Sequence, residues 1–305
     1  MRFRATFAAL LFVAATAASA EPIFPKGGSV GLEPPPGMVP ADDFMGFRSG
    51  ASSILITELP PAAYAQIDAK RDQFAAQVGS AKVEDVTVGG AKGFIVRGKQ
   101  NAGGKEFRKW AVVLGAPSAT ALITAQVAPD DKEVTDATVE AALRSIALRE
   151  RPDLTTQIAS LPFTVGDLAG FRASQTASGA ILLLTEGPKD EDPEMTQPSI
   201  VVSSGLNVPP PPEQRGEFVR SVLLAMKPLR QVEPEPVQVF EADGAQWAQV
   251  RAKAVRGRGD VPVQVTLFMR FDQDGFLTVI CTAPRSKPGY AERFKQLALS
   301  VKPKG

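Results

Sequence analysis

The sequence has no histidine and only one cysteine among its 305 residues. Without histidine, imidazole-based catalytic triads and zinc sites with histidine ligands are excluded. A single cysteine excludes an intrachain disulfide and a CxxC redox pair. Lysine and arginine number 34 and aspartate and glutamate 33, so the net charge of +1 gives no sign of a nucleic-acid or anionic-membrane partner. Most familiar enzyme chemistries are therefore excluded from composition alone.

The N-terminal residues have the layout of a secretory signal peptide. Arg2 and Arg4 precede an uncharged, apolar stretch over residues 5–18, and Ala18-Ser19-Ala20 then supplies the small residues of a cleavage site before Glu21. The apolar stretch is shorter than the roughly 20 residues that a membrane-spanning helix needs, and no later uncharged segment reaches that length. We therefore expect a signal peptide over residues 1–20 and a mature, soluble protein in a bacterial periplasm.

The rest of the composition, 44% hydrophobic and 22% charged, is that of an ordinary globular protein long enough for about two domains. Cys281 lies in an apolar run over residues 276–282, which predicts a strand. No residue near it in sequence can act as a base to generate a thiolate, so we interpret Cys281 as a small buried hydrophobic residue.

Short sequence patterns recur in the two halves of the chain, which predicts a tandem duplication. The paired segments are Gly46-Phe47-Arg48 with Gly170-Phe171-Arg172, Gly90-Ala91 and Val96-Arg97 with Gly244-Ala245 and Val250-Arg251, and Ala128-Pro129 with Ala283-Pro284. We expect a first domain over residues 21–150 and a second over residues 151–305, joined near residues 149–153. The second half is longer, and its extra residues are predicted to form an inserted loop near residues 187–212.

Each half combines strand and helix signals. Apolar residues alternate with polar ones over residues 248–254 and 263–271, and glycine-containing turns at 101–105 and 256–260 predict a hairpin in each half. Apolar stripes with helical spacing lie over residues 139–146, 218–226 and 290–301, and an alanine-rich segment over 62–78 favours one more helix. The predicted class is α+β, with two tandem α/β/α sandwiches in which each antiparallel sheet is flanked by helices.

This arrangement resembles the superfamily of PsbP, Mog1 and DcrB-like proteins. The likeness is carried by residues 90–97, by Lys109-Trp110-Ala111-Val112-Val113, by residues 121–129 with the helix through Ser145-Ile146, and by their second-half counterparts. The resemblance implies an α/β/α sandwich around an antiparallel sheet, and a role as an accessory or binding protein. A tandem pair differs from the single-domain members, so no partner surface is transferred from them.

Two arginines follow Gly-Phe in the repeated segment. Arg48 and Arg172 could each make bidentate contacts to a carboxylate or phosphate on a ligand or partner. The alternative is a pair of solvated arginines at strand ends that were inherited through the duplication.

An acidic cluster in the predicted insert is the second candidate contact surface. Asp190, Glu191, Asp192 and Glu194 follow Lys189, and their oxygens could bind calcium or a partner. The spacing is not that of an EF-hand, and the alternative is a solvated, partly mobile loop. If the loop binds a partner, deleting residues 189–194 should leave thermal unfolding nearly unchanged and weaken capture of that partner. Four prolines at 209–212 predict a stiff lead into a helix near Glu213, or a polyproline ligand.

No pattern in the sequence assigns a catalytic residue, a metal-ligand set or a cofactor. The leading hypothesis is a noncatalytic periplasmic accessory or binding protein whose partner is another periplasmic or envelope protein. One alternative is a hydrolase that uses carboxylates or a Ser-Lys pair. The other is a small-ligand carrier with a pocket at the junction of the two domains.

Overall fold

A computed structural model describes residues 21–304 apart from 81, 103, 206–207, 258 and 274. The predicted signal peptide lies outside the described residues. The first half forms, in order, β1 (Val30–Gly31), β2 (Val39–Pro40), β3 (Gly46–Ser49), β4 (Ser52–Leu59), α1 (Ala63–Asp68), α2 (Arg71–Gln77), β5 (Val83–Val88), β6 (Ala91–Ala102), β7 (Lys105–Gly115), β8 (Thr120–Val127), α3 (Asp136–Arg144) and β9 (Ala147–Leu148).

The second half also combines strands with helices, and the connections between them are longer. Its elements are α4 (Leu154–Ala159), β10 (Phe163–Val165), β11 (Arg172–Ala177), β12 (Ile181–Thr185), β13 (Ser199–Gly205), a 3-10 turn (Pro212–Gln214), α5 (Arg215–Leu224), β14 (Leu229–Pro234), β15 (Gln238–Ala242), β16 (Ala245–Arg256), β17 (Val261–Phe271), β18 (Phe276–Pro284), α6 (Ala291–Leu299) and β19 (Val301–Pro303). The prolines at 209–212 therefore lead into the turn that starts α5.

Two large antiparallel sheets form the body of the molecule. The first has the order β2-β3-β4-β8-β7-β6-β5, and the second has the order β11-β12-β13-β18-β17-β16-β14, with β15 also paired to β16. Both predicted hairpins are present, because β6 pairs with β7 and β16 pairs with β17 along their lengths. The predicted α+β class with two sheet-rich bodies is confirmed.

Each sheet packs apolar side chains on both of its faces, where the helices cover it. In the first half, α3 covers one face through Val139 and Leu143, and α1 with α2 covers part of the other. In the second half, α6 covers one face through Phe294 and Leu297, and α5 packs on β15, β16 and β17 of the other. The three apolar stripes at 139–146, 218–226 and 290–301 therefore correspond to α3, α5 and α6.

The segment over 62–78 is not the single helix that was expected. It forms α1 and α2, separated where Lys70 leaves helical geometry with φ −125° and ψ 27°. The break allows Tyr64 and Phe74 to pack against the same sheet face. Sheet packing thus overrides the local alanine-rich preference for one continuous helix.

The predicted insert over 187–212 is not one loop, because it contains strand β13. Ile200 and Val202 are buried while Val201 and Ser203 are partly exposed, which is strand alternation. β13 pairs with both β12 and β18 and therefore lies inside the second sheet rather than outside it. The extra residues are divided between a loop over 187–198 and a connection after Gly205.

The strand order also shows that the predicted equivalence of Arg48 and Arg172 is wrong. The hairpin of β6 with β7 in the first sheet corresponds to the hairpin of β16 with β17 in the second. When strands are counted outward from these hairpins, β4 corresponds to β13, β3 to β12 and β2 to β11. Arg48 lies on β3, whereas Arg172 lies on the edge strand β11. The Gly-Phe-Arg match is therefore a likeness of three residues on non-corresponding strands.

Candidate functional site

Residues 187–198, between β12 and β13, form a compact loop built around the side chain of Gln197. Gln197 is buried, its Nε2 donates to Thr185 Oγ1 and to the carbonyl of Lys189, and its Oε1 accepts from the Lys189 N–H. A Cβ at position 187 would clash with the Gln197 side chain, so a larger residue there would displace Gln197 from these contacts. These contacts tie the two ends of the loop together.

The acidic cluster in this loop contains one internal carboxylate, that of Asp192. Its Oδ2 accepts hydrogen bonds from the backbone N–H groups of Thr196 at 2.5 Å and Gln197 at 2.8 Å. Burial acts to raise the pKa of Asp192, but the hydrogen bonds together with Lys189 outweigh it and hold the pKa below its ordinary value. Asp192 therefore shapes the loop rather than facing a partner.

Met195 shows that the loop is also packed against its surroundings. It is a non-glycine residue in the left-handed region, with φ 54°, and it is 6% exposed. Its side chain lies beside Gly257 in the β16–β17 turn. The loop is therefore packed at Met195 and Gln197, while Lys189, Asp190, Glu191 and Glu194 are exposed to solvent.

Arg172 positions the same loop from β11. Its Nε and Nη2 donate to the carbonyl of Gly187 at 3.0 and 2.9 Å, and its Nη1 donates to Asp190 Oδ1 at 2.6 Å. Arg48 is elsewhere, paired with Asp43 and 5.2 Å from the centroid of the Phe44 ring. The two arginines thus do not converge, and Arg172 has its donors engaged within the protein.

The other charged residues of the loop are exposed. Lys189 Nζ lies 3.5 Å from Asp192 and 3.8 Å from Glu194. Glu191 is exposed and has no hydrogen bond or ion pair with any described residue. Within the described ranges, no group of three or more acidic or cysteine side chains is placed to hold a metal ion.

A cavity of about 300 Å³ lies between this loop and the sheet. Its floor is formed by β12 and β13, on the side of the sheet where α5 packs but beyond the strands that α5 covers. Leu183 and Val201 are partly exposed in this floor. Asp190, Glu191 and Asp192 line one side, and Arg256 lines the cavity from the end of β16. The loop therefore turns an uncovered part of the sheet into a partly open pocket.

Arg256 is the residue of this site that the sequence did not single out. The only hydrogen bond of its side chain to a described residue is from Nη1 to Thr282 Oγ1, at 3.4 Å, and no described carboxylate lies within 4.0 Å of the guanidinium. Burial lowers the pKa of the Arg256 guanidinium, and no acidic neighbour opposes the effect. The sequence showed Arg256 only as part of a hairpin turn, because its approach to the loop depends on the fold.

A larger cleft of about 980 Å³ lies where the two halves meet. Asp42 and Asp43 from the β2–β3 connection face Arg215, Phe271 and Phe276 of the second half across it. Arg215 is held there by a 2.9 Å hydrogen bond to Gln246 and by the ring of Phe271, 4.9 Å away. The cleft is lined by both signs of charge and contains apolar walls.

The halves are also joined by buried contacts near residues 149–153. Glu58, at the end of β4, has a side chain that is 2% exposed; it accepts from the Ser29 N–H at 2.5 Å and lies 3.7 Å from Arg151 Nε. Arg151 also donates to the carbonyl of Thr176 on β11. The segment expected to be a linker is therefore fixed to both sheets.

Among the described residues, neither Cys281 nor the Ser204–Lys304 pair is arranged for nucleophilic catalysis. Cys281 is fully buried, and burial raises the pKa of its thiol well above the ordinary value, which keeps it protonated. Ser204 and Lys304 both line the junction cleft, but Lys304 Nζ donates to the carbonyl of Ala159 at 2.6 Å. No hydrogen bond joins Ser204 to Lys304 among the described residues, so the geometry gives no support to a Ser-Lys pair.

No family model and no curated protein matches the sequence. Similar solved structures include PsbP (CyanoP) from Synechocystis sp. PCC 6803, at 13% identity and a TM-score of 0.29, covering 47% of this chain and 82% of that one. Another is immunity protein TplEi of T6SS from Pseudomonas aeruginosa complexed with "L" peptide, at 10% identity and a TM-score of 0.27, covering 92% and 97%. The Tle4-Tli4 complex has 9% identity and a TM-score of 0.28, covering 92% and 96%.

These TM-scores are too low for a conclusion about function to rest on them. In the part of the chain that the structure describes, no helix is both long and apolar enough to cross a membrane.

Proposed function

We propose that this chain is a noncatalytic binding protein and that it recognises its partner through the second sheet. The recognition surface consists of the loop over 187–198 together with the exposed face of β11, β12 and β13, and is called the loop surface below. Recognition commonly resides in loops that a rigid scaffold positions. The loop surface has this character, because Arg172, Asp192 and Gln197 hold its backbone from within.

The observation that carries this proposal is the partly open cavity beneath the loop, which is lined by charged groups without charged partners. Arg256 and Glu191 both line it, and neither has a charged partner in the described structure. In the first half, β3 and β4 are joined by a short turn at residues 50–51, so no loop covers the corresponding place. The recognition surface is therefore peculiar to one half.

A capture experiment with two charge reversals tests the proposal. Glu191→Lys changes an exposed residue of the loop surface that holds no part of the fold. Asp72→Lys is the matched control, because Asp72 is an exposed carboxylate on α2 without a hydrogen bond or ion pair. Each purified protein is used to capture proteins from an envelope extract of the source cells, followed by identification by mass spectrometry.

We expect a partner that wild type and Asp72→Lys capture equally and that Glu191→Lys captures several-fold less. Equal capture by all three proteins, or no capture above the blank resin, contradicts the proposal. Thermal unfolding of wild type and Glu191→Lys should coincide, because the Glu191 side chain is bonded to no described residue. Asp72→Lys should unfold at a slightly lower temperature, because it replaces a carboxylate in the first turn of α2.

The junction cleft supports a second candidate function, that of a small-ligand carrier. Its volume of about 980 Å³ and its mixture of aromatic and charged walls suit a small polar molecule. Native mass spectrometry of protein purified from its own cells tests this directly. A bound molecule of fixed mass that is lost in an Arg215→Gln variant supports the carrier; identical masses for native and refolded protein contradict it.

We also propose that the protein is exported and built as two domains, over 21–150 and 151–305. The charged and apolar pattern of residues 1–20 supports export, and the matching strand orders support duplication. Intact mass of the protein from periplasmic extract tests the first point, since cleavage predicts a chain that starts at Glu21. A mass that retains residues 1–20 contradicts it.

A further inference from the structure

We propose that the cavity beneath the loop binds a carboxylate and a basic group on one ligand, as found in a C-terminal lysine or arginine residue. Arg256 would bind the carboxylate, and Glu191 the basic end. This inference rests on the proposed function, since it names the chemistry that the loop surface recognises. A free basic amino acid has the same chemistry, and the experiment below distinguishes the two sources.

The Arg256 guanidinium is suited to the carboxylate end. Its Nε and Nη2 have no acceptor among the described residues, yet neither atom is sealed from solvent, unlike Nη1 of Arg270. Arginine presents paired N–H donors in a fixed fork that matches a carboxylate. Partial burial strengthens such a bond, because the guanidinium has already lost much of its hydration. Thr282 Oγ1 stands at hydrogen-bonding distance beside it.

The loop side of the cavity is suited to a positive charge. Asp190 is paired with Arg172 and Asp192 with Lys189, which leaves Glu191 as the unpaired carboxylate lining the cavity. Arg256 and Glu191 do not form an ion pair with each other, since no contact within 4.0 Å joins them. The cavity thus separates one unpaired positive group from one unpaired negative group.

The lining of the cavity also includes apolar side chains. Leu183, Val201 and Met195 line the cavity, and the aliphatic stem of a lysine or arginine side chain packs well against such surfaces. The volume of about 300 Å³ is at the lower end for ligand sites and suits a single residue rather than a long peptide.

The same charges argue against a phosphate or another multiply charged anion. Three carboxylates line the cavity, and Arg256 is the one arginine among its lining residues. A dianion would be repelled by the loop, whereas a ligand with one carboxylate and one basic group places each charge beside its opposite. Charge complementarity therefore selects the zwitterionic end of a chain.

Isothermal titration of the purified full-length protein tests the inference with defined probes. The probes are the N-acetylated tripeptide Gly-Gly-Lys, its C-terminal amide, N-acetylated Gly-Gly-norleucine and free L-lysine, where acetylation removes the N-terminal ammonium of the peptides. The amide removes the carboxylate, and norleucine removes the basic group while keeping an aliphatic side chain. Variants are Arg256→Gln and Glu191→Gln, with Arg220→Gln as control, because Arg220 is an exposed arginine on α5 that does not line the cavity.

We expect Gly-Gly-Lys to bind wild type and Arg220→Gln alike, with a Kd below about 1 mM. Removing the carboxylate or Arg256 should weaken binding by about 10-fold or more, as loss of a charged hydrogen-bonded pair does. Removing the basic group or Glu191 should weaken it by a smaller factor of about 3 to 10, because Glu191 is exposed. Tighter binding of the tripeptide than of L-lysine indicates a protein C-terminus as the source, and the reverse order indicates a free amino acid.

Absence of binding of both Gly-Gly-Lys and L-lysine to wild type overturns the inference, as does equal affinity for the tripeptide and its amide. If Arg256→Gln melts at a lower temperature than wild type, the amide probe and the Glu191→Gln variant still decide the question on a folded protein. A partner captured through the loop surface without binding of the probes would leave the proposed function standing and this inference wrong. Binding of the probes without any captured partner would support this inference and contradict the partner hypothesis.

Discussion

Each sheet contains one of the two tryptophans of the chain, and the two indole N–H groups are treated differently. Trp110, on β7 of the first sheet, donates to Glu140 Oε1 on α3 at 2.9 Å. Trp247, on β16 of the second sheet, is fully buried, and its Nε1 has no acceptor among the described residues. The first sheet thus satisfies a buried donor that the second sheet leaves unpaired.

An arginine lies beside each tryptophan, and the hydrogen bonding of the two arginines differs in the same way. Arg97 clamps Glu140 with two hydrogen bonds of 2.5 and 3.0 Å and reaches Glu84 as well. Arg270, 5.8 Å from the Trp247 ring, binds Asp272 but buries its Nη1 without an acceptor. Unpaired buried donors reduce stability, and proteins often depart from full pairing near functional sites. The half with the incomplete network is also the half with the loop surface.

The largest expected effect comes from making the same substitution at both tryptophans. We expect Trp110→Phe to cost about 2 kcal/mol more than Trp247→Phe, because only Trp110 loses a hydrogen bond to a charged group while Trp247 sheds an unpaired donor. Both changes remove the same ring volume, so the packing terms largely cancel. Urea unfolding followed by circular dichroism measures the difference.

The same pair of variants reports on each sheet separately. Trp110→Phe retains Trp247 as the fluorescent probe of the second sheet, and Trp247→Phe retains Trp110 as the probe of the first. An equal or larger loss of stability in Trp247→Phe would show that the indole of Trp247 finds an acceptor in solution, and the contrast between the sheets would disappear.

A smaller effect is expected from Glu140→Gln, which weakens the satisfied network of the first sheet. Hydrogen bonds from Arg97, opposed by burial and helped by Trp110, hold the pKa of Glu140 below its ordinary value of 4.5. A carboxyl whose folded pKa is lowered contributes stability above its unfolded pKa and loses that contribution as the pH falls toward the folded pKa. At neutral pH we expect a cost of about 1 to 2 kcal/mol.

The difference between wild type and Glu140→Gln should therefore shrink as the pH falls from about 5 to about 3. Glu106→Gln is the control, because Glu106 on β7 forms only an exposed pair with Lys99. That control should cost less than about 0.5 kcal/mol at neutral pH. A difference for Glu140→Gln that stays constant over this range would mean that the ionised Glu140 does not stabilise the sheet.

Local periodicity predicted those parts of the fold in which neighbours in sequence are neighbours in space. The hairpins of β6 with β7 and of β16 with β17 follow from alternation and turn residues, and α3, α5 and α6 follow from their apolar stripes. Strand β13 was missed because prolines and acidic residues flank its seven residues, which made the region look like one loop.

The candidate site was less predictable, because it depends on where the loop path places distant residues. Arg172 and the acidic residues were singled out from sequence, but most of them hold the loop together rather than face a ligand. Arg256 lies in a hairpin that comes later in the sequence than that loop. Only the order of the strands in the sheet brings Arg256 to the same cavity as Glu191.

The smallest expected effects test whether Arg48 and Arg172 have different roles, as their strands indicate. Arg48 is exposed and paired with an exposed Asp43, so Arg48→Gln should change the free energy of unfolding by less than about 0.5 kcal/mol. Arg172 donates twice to the carbonyl of Gly187 and once to Asp190, so Arg172→Gln should cost about 1 kcal/mol by loosening the loop. Limited proteolysis should then cleave Arg172→Gln faster within residues 187–198 and leave the Arg48→Gln pattern unchanged. Equal stability and equal cleavage in the two variants would restore the view that both arginines are merely solvated, and the loop would have to owe its shape to Asp192 and Gln197 alone.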